Sequence, residues 1–205
     1  MLYDNNFKQY GIQAMKKALL AIGAPLLLVA CTTIPVKTLY KLSTTDMLTV
    51  DPRILRIGVR MPEWIAPRTN GVRMELGMIQ DGKDPVIERF TLIPIPLELE
   101  GKSLASEGRP GFRLYAYRIA PEDIPRLEAF RQTLKVRKEQ SGNKTQGSLA
   151  VGVEACRKTK LPEGKVPVTT YLKLDTDAGY LPLVVDYDLK KPVKGKNLAE
   201  LIPPC

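Results

Sequence analysis

Residues 53–61 of the chain read RILRIGVRM, an alternation that decides the fold class. Every second side chain from position 55 is apolar and shares one face of an extended segment, while Arg56, Gly58 and Arg60 take the other face. A strand with one apolar face must bury that face against other elements. The stretch therefore predicts a half-buried strand in a mainly β domain.

The same period of two returns along most of the chain. Further alternating segments lie at 39–42, 72–78, 86–93, 112–116, 149–155, 168–174 and 181–189, which gives about eight strands. Pro94 and Pro96 cannot donate to a strand ladder, so the strand before them is expected to end there or to run along a sheet edge. An antiparallel two-sheet β-sandwich buries such faces, and we expect it for the single domain 38–205.

Residues 121–139 have helical spacing instead. Prolines and acidic residues open the segment, and apolar side chains follow at positions 124, 127, 130 and 134. Glu128, Arg131 and Lys135 are expected on the opposite face. Ser141-Gly142-Asn143 is expected to end the segment. It therefore predicts one amphipathic helix that covers a sheet or one end of the sandwich.

The first 31 residues resemble a bacterial lipoprotein signal. Two lysines at 16–17 precede a short apolar run at 18–28, and the run LVAC ends at Cys31 like a lipobox. The apolar run is shorter than the roughly 20 residues that span a bilayer. The resemblance implies that residues 1–30 are a cleaved signal peptide and that Cys31 becomes the lipid-modified first residue. The alternative is an uncleaved signal anchor.

This resemblance implies a location in the cell envelope. Thr32, which is not aspartate, follows the lipidated cysteine, and in the enteric sorting pattern this implies the outer membrane with the domain facing the periplasm. Residues 31–37 would form a lipidated tether that reaches about 20 Å. Met15 directly precedes the lysine pair, so the true start of the signal is expected at Met15 or Met1.

The charge of the chain fits a membrane surface. The first 30 residues carry three lysines and one aspartate, so their removal lowers the net charge from +9 to +7. Basic residues concentrate at 126–138, 157–165 and 190–196, where they favour anionic headgroups. The alternative is solvated charge that keeps the domain soluble. A nucleic-acid partner is not expected outside the cytoplasm.

Two further cysteines, Cys156 and Cys205, remain once Cys31 carries lipid. In an oxidising compartment they are candidates for one disulfide. Such a bond closes a loop of 50 residues, worth roughly 4 kcal/mol in the chain-entropy model. The alternatives are two free thiols or an intermolecular bond through Cys205.

The absence of histidine excludes several chemistries. Ser-His-Asp and Cys-His catalysis and His-ligated metal sites all need that side chain, so we expect no enzyme, no metal and no cofactor. Three weaker patterns have simpler interpretations. Ser141 and Lys144 match S-x-x-K but are expected in a surface turn. Residues 175–179 resemble a calcium loop but favour a hairpin turn. Glu98 with Glu100 is typical of a solvated strand face.

The segment 61–67, MPEWIAP, is the candidate contact surface for a partner or a membrane. It holds the chain's one tryptophan, Trp64, next to Ile65, and Arg60 and Arg68 lie on either side. Prolines stiffen the segment, so an exposed Trp-Ile pair could enter a headgroup layer or anchor a protein. The alternative is that Trp64 packs against one end of the core.

Tyr40-x-Leu42, residues 54–59 and Pro62 resemble the opening of auxiliary lipoproteins of envelope transport systems, a resemblance that ends after Val72. It implies a role beside such a system and no functional residues. From the lipid address and the missing catalytic groups, we expect a non-catalytic interaction or assembly module with an envelope protein partner. The alternative function is a carrier of a small apolar or lipidic ligand, held between the sheets or under the helix.

Overall fold

The computed structural model describes residues 34–80, 83–177, 179–190 and 198–205. The predicted signal peptide and the predicted lipidation site, Cys31, lie outside these residues. Thr32–Cys205 belong to one unit by their contacts. Within the described residues, no helix is both long and apolar enough to cross a membrane.

Seven strands form one antiparallel sheet. They are β1 (Arg56–Pro62), β2 (Ile65–Gln80), β3 (Val86–Ile95), β4 (Phe112–Ile119), β5 (Thr145–Arg157), β6 (Pro167–Lys173) and β7 (Leu181–Asp188). Their order across the sheet is β5-β2-β3-β4-β1-β6-β7, and the sheet curls into a half-barrel. The mainly β prediction is confirmed. A sandwich of two sheets is not, because hydrogen bonds join each strand to the next in a single sheet.

The short strand expected at 39–42 is wrong, because these residues belong to a helix, α1 (Val36–Thr44). Val36, Leu39 and Tyr40 have the i, i+3, i+4 spacing of one helix face, which outweighs the single alternation Tyr40-x-Leu42. The Thr38 hydroxyl donates to the backbone oxygen of Pro182 at 2.7 Å and fixes α1 to β7. The last two residues of the predicted tether, Val36 and Lys37, therefore belong to the helix.

Pro94 and Pro96 mark the end of β3, as their missing N–H groups predict, although β3 lies inside the sheet. Residues 86–91 pair with β2, while residues 92–95 pair with β4. Pro94 lies opposite Tyr117, beyond the last pair that β3 makes with β2. Its missing N–H therefore falls where β3 has a neighbour on one side only, and the strand ends at Ile95.

β2 begins earlier than the sequence predicts. The expected loop at 61–67 is reduced to a tight turn at Glu63 and Trp64, after which Ile65 already pairs with Arg157 of β5. The register shifts between Pro67 and Val72. A Cβ on Gly71 would lie 2.7 Å from the Glu154 carbonyl oxygen, so the bulge requires glycine there.

The two faces of the sheet are covered differently. We call the face that carries Ile57 and Val59 the core face, and the face that carries Gly58 the cap face. The core face holds the main hydrophobic cluster, which is covered by α3 (Ile124–Ser141) and by the segment 42–55. The predicted helix is thus confirmed, and it ends at Gly142, whose φ of 57° suits glycine.

The cap face is covered by the segment between β3 and β4. A 3-10 turn (Leu97–Glu100) leads into the short helix α2 (Gly101–Ala105), and Leu104 of α2 is fully buried. Leu104 packs directly over Gly58, where a Cβ would lie 2.9 Å from the leucine Cδ1. Gly58, the glycine in RILRIGVRM, therefore leaves the space that Leu104 needs to pack on the sheet.

The C-terminal tail folds back onto the end of β5. After a short helix, α4 (Leu198–Leu201), Ile202 is buried in the main cluster. Pro204 forms a bridge with Arg157, and Cys205 is joined to Cys156 by a disulfide. The structure thus fits the predicted cysteine pair, which attaches the tail to the sheet.

Candidate binding cleft

A cleft of about 630 Å³ opens on the core face. It lies between α3, the segment 42–48, and the strands β2 and β5. Its volume falls within the roughly 300–1,000 Å³ of small-molecule sites. At one end of the cleft α3 approaches β5 closely, since a Cβ on Gly147 would lie 3.1 Å from Leu134 Cδ2.

The walls of the cleft are mainly apolar. Leucine, methionine and phenylalanine side chains from five separate parts of the chain contribute, namely Leu42, Met47, Leu48, Leu55, Met74, Leu76, Phe130, Leu134, Leu149 and Leu183. The unbranched side chains of Met47 and Met74 adapt to irregular space, and the leucines add apolar surface. The lining therefore suits a hydrocarbon chain better than a polar metabolite.

Arg131 gives the cleft a charged wall. It is buried, lines the cleft and donates from its guanidinium to the backbone oxygen of Val50. Burial lowers the pKa of Arg131, although Glu128 and two aspartates oppose this shift. An arginine stays protonated even so. Lys138 and Asp46 also line the cleft, so its charged residues have a net positive charge.

The position of Arg131 corrects the sequence-based assignment of the helix faces. Arg131 was expected on the polar face of α3 with Glu128 and Lys135, but it is buried on the same side as Leu127 and Leu134. It lies four residues after one leucine and three before the other, a spacing that places all three on one stripe. The charge of the side chain hides this signal.

A buried carboxylate holds the cap on the other face. Glu100 accepts hydrogen bonds from Arg56 Nε at 3.1 Å and from the Tyr180 hydroxyl at 2.9 Å, and Lys173 Nζ lies 3.5 Å away. Burial and the bond to Glu100 raise the pKa of Tyr180 above its ordinary value. The expectation that Glu98 and Glu100 share a solvated strand face is wrong, because the turn exposes Glu98 and buries Glu100.

Arg60 belongs to a second polar cluster on the cap face. Its guanidinium donates to the backbone oxygen of Glu107 at 3.0 Å and to the Thr169 hydroxyl at 3.2 Å. The carboxylate of Asp186 lies 3.5 Å from both Arg60 and Arg109. Arg60 therefore fastens the end of the cap segment and is not available as a flank for Trp64.

The candidate contact residues around Trp64 do not form one exposed surface. Trp64 is half-buried against the main cluster, and Ile65 is fully buried in it. Arg68 lies in the β2 bulge, with its guanidinium 4.0 Å from the Glu154 carboxylate. The exposed Trp-Ile pair is therefore wrong, and the placement of Trp64 agrees with the alternative in which it packs on the core.

The weaker motifs have ordinary local structures. The Ser141 hydroxyl donates to the backbone oxygen of Arg137 at 2.7 Å at the end of α3, and Lys144 is exposed. The Asp175 carboxylate accepts from the backbone N–H of Asp177 at 2.8 Å, as in a turn, and residue 178 lies outside the described part. Among the described residues, no three acidic or cysteine side chains gather closely enough to hold a metal ion.

No known protein family, curated protein or solved structure matches this chain.

Proposed function

We propose that this protein is a lipid-anchored, non-catalytic binding protein of the cell envelope that carries one amphipathic molecule in the cleft. The ligand class is a hydrocarbon chain with an anionic headgroup. The apolar cleft of about 630 Å³ is the observation that carries this proposal. The cleft favours a carrier over an interaction module. The contact residues expected for such a module, Trp64 and Ile65, pack on the core.

The wall formed by Arg131 supports the anionic headgroup. A guanidinium pairs with carboxylates and phosphates through parallel hydrogen bonds, and such bonds are strong in an apolar surrounding. The apolar lining of β2 and β5 would then hold the chain while Arg131 holds the head. This arrangement predicts a preference for fatty acids over neutral alcohols of equal length.

A fluorescent fatty acid tests the carrier directly. We expect saturable binding at one site per chain, and we expect Leu149→Trp to abolish it because the indole occupies the cleft. Ile87→Trp is the matched control, since Ile87 is exposed on β3 and lies outside the cleft. Equal binding by both variants, or no saturable binding by the wild type, would rule the carrier out.

The headgroup preference is tested with Arg131→Met. We expect its affinity for the fatty acid to fall about tenfold, while its affinity for the matching fatty alcohol stays unchanged. Lys135→Met on the next turn of α3 is the control, because Lys135 does not line the cleft. A parallel loss for acid and alcohol would show that Arg131 only shapes the fold.

The lipid anchor and the outer-membrane location remain part of the proposal and rest on the lipobox resemblance. Mass spectrometry of the membrane-extracted protein is expected to find acylated Cys31 as the first residue. Cys31→Ala is expected to accumulate with residues 1–30 attached. A wild-type chain that keeps residues 1–30 would contradict the lipid anchor and leave the proposal for the cleft unaffected.

An interaction module is the second candidate function, and one observation favours it. Ile79 and Ile87 are nearly half exposed and lie on the same face of the β2–β3 pair. A photo-crosslinking residue at Ile87 should then capture one envelope protein in cells, while the same residue at exposed Val136 on α3 should not. Absence of a product specific to Ile87 would remove this candidate.

A further inference from the structure

Helix α1 turns an apolar face outward. Val36 is 79% exposed, Tyr40 71% and Leu39 46%, and their i, i+3, i+4 spacing places them on one side of the helix. Soluble helices normally bury such a stripe. The exposed face of α1, defined by these three residues, is therefore the surface to explain.

The orientation of this face is fixed by the rest of the domain. Thr38 on the opposite side is buried and bonded to Pro182, and Leu42 packs against the main cluster. The helix therefore cannot rotate to bury Val36 and Tyr40 without losing these contacts. Its apolar face points away from the sheet.

The residues beside the face fit an anionic bilayer. Lys37 and Lys41 lie on the flank of α1, where long side chains can reach headgroup phosphates while their stems follow the apolar surface. Tyr40 has the amphipathic ring that concentrates at membrane interfaces. The face thus combines an apolar strip with positive charge on one side, the pattern of an interfacial helix.

The predicted lipid is close enough to bring α1 to the membrane. Cys31 precedes Val36 by five residues, a reach of at most about 18 Å. A lipid on Cys31 would hold the chain at the bilayer, and a second contact through α1 would fix the orientation of the domain there. We propose that the exposed face of α1 lies in the headgroup layer of an anionic bilayer, as a second contact beside the lipid. This inference rests on the proposed lipid anchor.

The position of α1 also connects the membrane with the cleft. Residues 42–44, at the end of the helix, line the cleft. A helix that lies in the headgroup layer keeps this end of the cleft near the membrane surface, so an amphipathic ligand has a short path between the membrane and the cleft.

The test uses the lipidated protein in vesicles of phosphatidylglycerol and phosphatidylethanolamine. An environment-sensitive fluorophore is attached at Tyr40→Cys, at the neighbouring Lys41→Cys, or at Glu163→Cys in the loop before β6. None of these three positions lines the cleft. Nitroxide-labelled lipids are expected to remove about half of the fluorescence at position 40, less at 41, and about a tenth at 163.

Variants of the face sharpen the test. Val36→Glu/Leu39→Glu in the Tyr40→Cys background is expected to abolish the quenching, whereas Val86→Glu/Ile87→Glu, on similarly exposed apolar residues of β3, is expected to keep it. Quenching at position 40 that survives Val36→Glu/Leu39→Glu would reflect the nearby lipid alone and overturn the proposal. A blue shift that depends on protein concentration but resists the lipid quencher would overturn it in favour of a second copy.

Failure of this inference is distinguishable from failure of the proposed function. Mass spectrometry of the same sample reports whether Cys31 carries lipid, and fatty-acid binding reports on the cleft. If the chain is lipidated and binds fatty acid but position 40 is not quenched, the α1 proposal alone is wrong.

Discussion

The two faces of the sheet each carry a helix, but the two helices approach the sheet differently. On the cap face, Leu104 of α2 touches the backbone at Gly58, and Glu100 fastens the turn beside it. On the core face, α3 and the segment 42–48 leave a cleft of about 630 Å³ over β2 and β5. The difference indicates that one cover serves stability, whereas the other encloses a binding space.

Enlarging one leucine on each face of the sheet is expected to give the largest difference in stability between them. Leu104→Trp is expected to destabilise the protein by about 3 kcal/mol, because the cap has no room for an indole. Leu149→Trp is expected to cost less than about 1 kcal/mol, because the side chain can extend into the cleft. Chemical denaturation of both variants measures the difference. Equal losses would mean that the two faces are packed alike.

The polar clamp of the cap gives a smaller effect. Glu100→Ala is expected to lower the free energy of unfolding by about 2 kcal/mol, because Arg56 and Lys173 lose the carboxylate that compensates their charges. Glu98→Ala in the same turn is the matched control and is expected to change it by less than about 0.5 kcal/mol. Urea unfolding of the two variants provides the measurement. A Glu100→Ala variant as stable as the wild type would show that Glu100 does not hold the cap.

Two glycines test the close approach at the cap. Gly58→Ala is expected to destabilise by about 1 kcal/mol, since the new Cβ meets Leu104 and the Cβ of Tyr171. Gly152→Ala in β5 meets nothing within 4 Å and is expected to be neutral or stabilising by a few tenths of a kcal/mol. Thermal unfolding of the pair is the measurement. The same sign for both variants would contradict the close packing at Gly58.

Asp188 belongs to neither cover and gives the smallest effect. Burial raises the pKa of its carboxyl, but hydrogen bonds from the backbone N–H of Val166 and Lys190 outweigh this, so the pKa lies below its usual value. A depressed folded pKa stabilises the fold above the unfolded pKa of about 4, and this is lost as the pH falls. Asp188→Asn should therefore lose stability at pH 7 and match the wild type at low pH. A difference independent of pH would contradict this.

The alternation of apolar residues was enough to predict the strands but not their partners. Each of the seven strands overlaps a segment with a period of two, although β2 begins before its segment and the segment 39–42 is helical. β1 and β2 follow each other along the chain but do not pair, and β2 instead pairs with the distant β5. Such pairing depends on packing between segments far apart in sequence, which a local pattern does not contain.

The cleft could not be predicted from the sequence for a related reason. Its walls come from five separate parts of the chain, and one wall, the end of α1, has a sequence that predicts a strand. Arg131 carries a charge that conceals its place on the buried stripe of α3. The helical spacing of Val36, Leu39 and Tyr40 was the sequence signal that could have predicted α1. No local pattern near Glu100 indicated that Glu98 would be exposed and Glu100 buried.

Native mass spectrometry of the protein released from its own membranes in mild detergent tests the central proposal most directly. We expect one bound amphipathic molecule per chain, which Ile87→Trp retains and Leu149→Trp loses while remaining folded. A wild-type chain that carries no ligand, or a Leu149→Trp chain that carries the same ligand as the wild type, would contradict a carrier that uses the cleft under α3.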